Sequence, residues 1–196
     1  MIHPELFLLI GISFSMGFTP GPNNAVASYS GFNFGIKKTI PLIFGVGLGY
    51  TLLVIIVNFV LISIFQKYPI LQEIIRTLGT IFLLYLAYKI AFSPISSENK
   101  GINPVKFIDT FLFQFINPKG VMAAITLISK FVFKEDYLKS SITVILVCAA
   151  TAFLSITAWT FLGKFLRKFA TNNSFIKRFN YAMSSLIVIC IIGFYI

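Results

Sequence analysis

TPGPNNAVA, residues 19–27, interrupts an apolar run that otherwise has the length of a membrane-spanning helix. Proline removes a backbone donor and clashes with the preceding turn, so two prolines about a glycine open a helix. The carbonyls and amides set free have no partner in lipid, and must face protein or a water-filled cavity. This stretch therefore decides between a span that is merely kinked and a span built around a polar site.

The composition supports the membrane setting. Of 196 residues, 57% are hydrophobic and 11% charged, and the mean hydropathy is +0.90. Apolar runs of about 20 residues match the thickness of a bilayer core. The net charge of +10 sits between those runs, without interleaved basic and aromatic patches. It reads as membrane topology and attraction to anionic lipid, with no nucleic-acid partner. Cys148 and Cys190 lie in separate apolar runs with no CxxC, far in sequence from either helix break, and read as packing thiols. The opening MIHPELFLLIGISF lacks a basic region and a small-residue cleavage site, and reads as the start of a retained span.

Hydropathy predicts six spans, at about 5–29, 39–65, 70–92, 107–132, 138–163 and 175–196. The polar stretch SPISSENKGINPVK, residues 93–106, links two halves of one transmembrane domain, about 1–95 and 105–196. Basic residues concentrate after spans 1, 3 and 5: Lys37 and Lys38; Lys89, Lys100 and Lys106; Lys164, Arg167, Lys168, Lys177 and Arg178. The positive-inside rule then puts both termini outside the cytoplasm.

A second break answers the first. Asn117-Pro118-Lys119-Gly120 interrupts span 4, 98 residues after Thr19 in a chain of 196. Small residues follow each break, Ala25 and Ala27 in one case, Ala123 and Ala124 in the other. An odd number of spans per half makes this an inverted-topology repeat. Half-helix amide ends attract carboxylates and carbonyl ends attract cations, so two breaks brought together make a polar site. The candidate site residues are Pro20, Gly21, Pro22, Asn23 and Asn24 from one half, and Gln114, Asn117, Pro118 and Lys119 from the other. Lys119 is the ionisable group well inside a span; its ammonium can hold a cargo carboxylate or give up a proton. Snorkelling of Lys119 to an interface and kinks that only shape packing are the structural alternative.

Other features weigh less. Gly45 and Gly49 of GVGLG read as close helix packing, since the stretch lacks the spacing and preceding strand of a nucleotide fingerprint. Tyr50, Val54 and Asn58 share a helical face that either lines the cavity or hydrogen-bonds to a neighbouring helix. Glu73 and Arg76, three apart, read as an ion pair. His3 alone makes no metal site. Asn172-Asn173-Ser174 matches a glycosylation acceptor, but on a loop placed in the cytoplasm. No Ser/His/Asp set, metal-ligand cluster or facing carboxylate pair is present, so neither an enzyme nor a cofactor is expected.

Four stretches resemble one family. GFTPGPNNAVASYSGFNFGIKK and FLFQFINPKGVMAAI are similar to the paired motifs of the LysE/RhtB amino-acid exporters. LGTIFLLYLAYKI resembles that family's third span, with Ala87 where glycine is common, and WTFLGKFLRKF with FNYAMSSLIVICIIGFYI resembles its ending. The resemblance implies export of amino acids or close derivatives from the bacterial cytoplasm, driven by protons, with roles for Pro20, Gly21, Pro22, Asn23, Asn24, Asn117, Pro118 and Lys119. Exporters of basic amino acids tend to carry an acidic residue early in span 2. GVGLGYTLLV has Tyr50 there, and Glu73 and Asp109 lie only near span ends. The expectation is a neutral, zwitterionic cargo, with small-residue faces that permit a homodimer without requiring one. Export of metal ions or other small metabolites on the same scaffold, and a thiol-redox carrier using paired cysteines, are the alternative functions.

Overall fold

Three prolines stand at helix starts, two of them just after the chain has been broken. In a computed structural model, which describes residues 4–61, 67–68, 70–93 and 104–195, Pro4, Pro22 and Pro118 each occupy a first helical turn. The missing N–H costs nothing there and the fixed φ suits the helix. Among the described residues seven α-helices follow in order: α1 (Pro4–Phe18), α2 (Pro22–Ile56), α3 (Ile70–Ala91), α4 (Phe107–Ile116), α5 (Pro118–Phe131), α6 (Tyr137–Leu166) and α7 (Asn173–Ile192). A π-helical turn, Val57–Leu61, extends α2, and a 3-10 turn, Arg167–Phe169, follows α6. Among the described residues there is no strand.

Among the described residues four helical stretches are long and apolar enough to cross a membrane: Pro22–Val60, Glu73–Ala91, Tyr137–Phe169 and Asn173–Ile192. A fifth forms if α4 and α5, bent by 60° at their junction, count as one span. Large apolar side chains point outward along them, among them Ile81, Leu146, Leu154 and Ile189, each at least 60% exposed. Water would penalise such a surface and lipid does not. This is a multi-pass membrane protein.

The stretch Pro22–Val60 is not one rod. A straight helix of 39 residues would run about 58 Å, nearly twice a bilayer core of about 30 Å. Gly35 breaks it with φ 76° and ψ 174°, a left-handed conformation that favours glycine. Ser30 Oγ and Thr39 Oγ1 then meet at 2.9 Å, where a continuous helix would hold the residues about 13.5 Å apart along its axis. Thr39 Oγ1 also donates to Gly35 O at 2.8 Å, closing the turn. The predicted first span thus divides into α1 and the arm 22–34, and the second begins directly after Gly35. The predicted end of span 2 at residue 65, most of the linker 93–106, and His3 fall outside the described residues.

Small residues bring the helices together. A Cβ on Gly31 would lie 2.2 Å from Thr160 O, and one on Gly163 would lie 2.0 Å from Ser28 O. The arm 22–34 and α6 therefore touch backbone to backbone, through glycines and hydroxyls three residues apart on both sides. On the other arm, a Cβ on Gly45 would meet Phe107 O at 2.5 Å and one on Gly49 would meet Phe111 O at 2.7 Å. The GVGLG glycines do serve close helix packing, against α4. Gly79 of α3 presses on the second break, where its Cβ would lie 2.2 Å from Ile116 O.

Two apolar clusters fill the interior. One gathers Ala25, Phe32, Leu83, Phe113, Ile156 and Ile187; the other gathers Leu9, Leu53, Val57, Leu127, Phe131 and Val144. Polar side chains from the two helix breaks lie where these clusters meet. At the periphery, Glu73 and Arg76 form the expected ion pair, and Arg76 also donates to Phe194 O at 3.1 Å and lies over the Tyr195 ring. Asn172 caps α7, its side chain accepting from Phe175 N at 2.8 Å, which gives the Asn-Asn-Ser stretch a structural role.

Candidate functional site

Opening the chain at Thr19-Pro20-Gly21 strands the last carbonyls of α1. Several find partners from elsewhere. Asn24 Nδ2 donates to Gly17 O at 2.9 Å and to Thr19 O at 3.0 Å. Ser155 Oγ of α6 lies 2.7 Å from Gly17 O and 3.3 Å from Asn24 Oδ1. Thr19 Oγ1 folds back onto Ser15 O. The Lys119 ammonium, from the other half of the chain, donates to Thr19 O at 2.7 Å and to Pro20 O at 3.3 Å. Cys190 of α7 adds a weak S–H contact to Pro20 O at 3.5 Å.

The two breaks are also tied by amides. Asn23 Nδ2 donates to Gln114 Oε1 at 2.8 Å, and Gln114 Nε2 returns a bond to Asn23 Oδ1 at 3.2 Å. Gln114 is wholly buried, and its second N–H reaches Thr110 O at 2.8 Å. At the second break Asn117 precedes α5 as its N-cap but makes no side-chain cap bond. Its Oδ1 is buried and without a hydrogen-bond partner, an unusual state for an acceptor that costs about 1–3 kcal/mol if left bare.

A cavity of about 80 Å³ opens between the breaks, room for several waters or a small solute. Its walls include Gly21, Pro22, Asn23 and Asn24 from the first break, and Asn117, Lys119, Gly120 and Ala123 from the second. Tyr50 contributes from α2; Ser13 and Gly17 contribute from α1. Cys148, Thr151 and Ser155 form a wall from α6, and Ser13 Oγ donates to Thr151 Oγ1 at 3.2 Å across it. The cavity carries the half-helix N-termini of α2 and α5, whose first N–H groups have no side-chain cap. These groups favour negative charge. No carboxylate lines it.

The placement corrects several expectations. Lys119 holds neither a free position nor an interface: its head is spent on backbone carbonyls of the opposite break. Cys148 and Cys190 are remote from the motifs in sequence but adjacent to them in space, one in the cavity wall and one on Pro20. Asn58 is not at the cavity. Its Nδ2 donates to Ser141 Oγ at 3.0 Å and its carbonyl accepts from Tyr137 at 3.2 Å, so helix pairing explains it. Of the residues sharing its helical face, Tyr50 lines the cavity and Val54 is core. Pro20, Pro118 and Gln114 shape the breaks from behind the wall. The α6 wall is legible in the sequence only as a stripe of small polar residues, Cys148, Thr151 and Ser155, three and four residues apart on one helix face.

Comparison with known proteins agrees with this architecture. The chain is 28% identical over 173 residues to a protein of Salmonella choleraesuis (strain SC-B67) named cysteine/O-acetylserine efflux protein, covering 88% of each chain. It is 25% identical over 175 residues to a protein of the same name from Escherichia coli (strain K12), again with 88% of each covered. No solved structure matches. The family model for the LysE type translocator matches residues 14–196, and the chain belongs to that family.

Proposed function

We propose that this protein is a secondary transporter that exports small amino acids or close derivatives, of the cysteine and O-acetylserine class, across the bacterial cytoplasmic membrane. The observation that carries this reading is the cavity of solute size walled by both helix breaks, with Asn23, Asn24, Asn117 and Lys119 in its lining and the uncapped starts of α2 and α5 beside it. Relatives covering 88% of the chain are named as efflux proteins for such compounds. A zwitterion suits the walls. Its carboxylate meets the N–H groups at the starts of α2 and α5, and its donors meet Asn117 Oδ1. A cationic side chain would find no carboxylate in the wall, so the cargo is neutral overall.

The scaffold supports alternating access by two inverted halves. Each half offers a broken helix, then a long helix, then a last helix, and the packing is reciprocal. Gly17 of α1 lies against Thr151 of α6, while Gln114 of α4 lies against Gly49 of α2. In this reading α1 with the arm 22–34 is one broken span and α4 with α5 is its inverted counterpart, giving six spans. The basic residues around 37–38 and 164–178 face the cytoplasm, both termini lie outside it, and protons drive export in antiport.

The test is an efflux measurement. Cells with and without the protein are loaded with a mixed dipeptide pool, and every amino acid inside and outside is quantified by mass spectrometry. One neutral amino acid should leave faster with the intact protein, not with Asn24→Ala, and an uncoupler should stop it. Unchanged rates for every amino acid would overturn the reading. Thiol redox is a second reading, favoured by the approach of Cys148 and Cys190 to the first break. Efflux that survives replacement of both cysteines by serine removes it.

A further inference from the structure

The Lys119 ammonium does at the first break what a bound cation would do. Thr19 O and Pro20 O belong to the carbonyl end of α1, where the helix dipole favours positive charge. A primary ammonium has three donors and no acceptor, and Lys119 Nζ directs two of them at these oxygens, at 2.7 and 3.3 Å. The approach is built in. Lys119 lies flat across Gly21, where a Cβ would meet Nζ at 2.8 Å and Cδ at 3.0 Å. The same lysine lines the cavity, so a solute inside it stands beside the seat that the ammonium fills.

We propose that the Thr19–Pro20 carbonyl pair is an exchangeable ammonium seat, filled by Lys119 in the empty carrier and taken over by the primary ammonium of the cargo. This inference rests on the cavity being the cargo site. On binding, the cargo ammonium replaces Lys119 on the carbonyls, and the displaced Lys119 ammonium pairs with the cargo carboxylate. A zwitterion supplies both charges, so the exchange leaves the net charge of the site unchanged. A quaternary amine has no N–H and an N-acylated amine has one uncharged N–H, so neither supplies the two charge-assisted bonds, which narrows the cargo to compounds that carry a free ammonium beside a carboxylate. When the cargo leaves, Lys119 returns, and the broken helix crosses the empty half of the cycle without bare carbonyls. Lys119 is thus a tethered stand-in for the cargo.

Two measurements test it. Purified Lys119→Ala has a vacant seat, so propylammonium chloride should raise its melting temperature by several degrees. Tetramethylammonium chloride at the same ionic strength should not, and neither salt should shift the unmodified protein. No shift, or an equal shift in all cases, overturns the seat. Lys119→Met keeps the stem and its packing but removes the ammonium. In proteoliposomes with sulfur-labelled L-cysteine, held reduced, this variant should exchange cargo for cargo with a raised half-saturation concentration, because the cargo carboxylate loses its partner, yet still run at saturating cargo. Net efflux, which needs the empty return, should fall about tenfold, the penalty expected of unpaired carbonyls. Parallel loss of exchange and net efflux marks a purely structural lysine and overturns the proposal, as does full retention of both. The melting test needs no cargo. A propylammonium shift without any amino-acid efflux sinks the export reading and leaves the seat standing; intact efflux without the shift sinks the seat alone.

Discussion

The two helix breaks differ in how completely the protein satisfies them. At the first, the carbonyls of Gly17, Thr19 and Pro20 all have partners, drawn from Asn24, Ser155, Lys119 and Cys190. At the second, a single residue, Asn117, separates α4 from α5, and its side-chain oxygen is buried without a partner. One break is closed by the protein itself and the other is left with capacity to spare. Stability and recognition therefore weigh differently at the two breaks: substitutions of the groups that close the first, from either half, should unfold the site, and substitution of Asn117 at the second should spare the fold but weaken binding.

The largest effect is expected from Asn24→Ala. It removes bonds to Gly17 O and Thr19 O together with the partner of Ser155, and should cost about 3 kcal/mol with loss of efflux. Thermal unfolding in detergent and the efflux assay read both. Gln114→Ala comes next, since it breaks the reciprocal amide pair with Asn23 and strands a buried group, at about 2 kcal/mol. A double-mutant cycle with Asn23→Ala should show coupling of about 1 kcal/mol or more; independence would mean the two breaks are not joined through this pair.

The glycines sharpen the contrast. Gly21→Ala places a methyl group against the Lys119 head, whereas Gly120→Ala meets nothing nearer than 3.6 Å. The first should slow efflux several-fold with about 1 kcal/mol lost, and the second should leave stability within about 0.5 kcal/mol. Equal effects would contradict the difference between the breaks. The smallest stability change is expected for Asn117→Ala, whose Oδ1 has no bond to lose. It should stay within about 0.5 kcal/mol of the unmodified protein while KM for the exported amino acid rises.

Local backbone chemistry made much of this readable in advance. Pro20, Pro22 and Pro118 announce breaks because the loss of a donor is a property of the residue itself. Gly45 and Gly49 announce close packing because small residues on one face admit a neighbouring backbone. Gly35 was less legible: a single glycine among apolar residues gives no sign that the chain turns there, and only its positive φ and the Ser30–Thr39 contact reveal it. Asn58 shares a helical face with Tyr50 but not its surroundings, because a helical face does not say which neighbour it meets; here the neighbour is Ser141.

The sequence by itself determined that the chain lives in a membrane and where its two proline breaks fall, since hydropathy and proline act over a few residues. Only the tertiary structure decided which groups meet at those breaks. Lys119 lies 100 residues from Thr19, and Cys190 lies 170 from Pro20. Such encounters depend on how glycine-lined helices pack, and a hydrogen-bond acceptor set free by a broken helix accepts whatever donor that packing brings within reach.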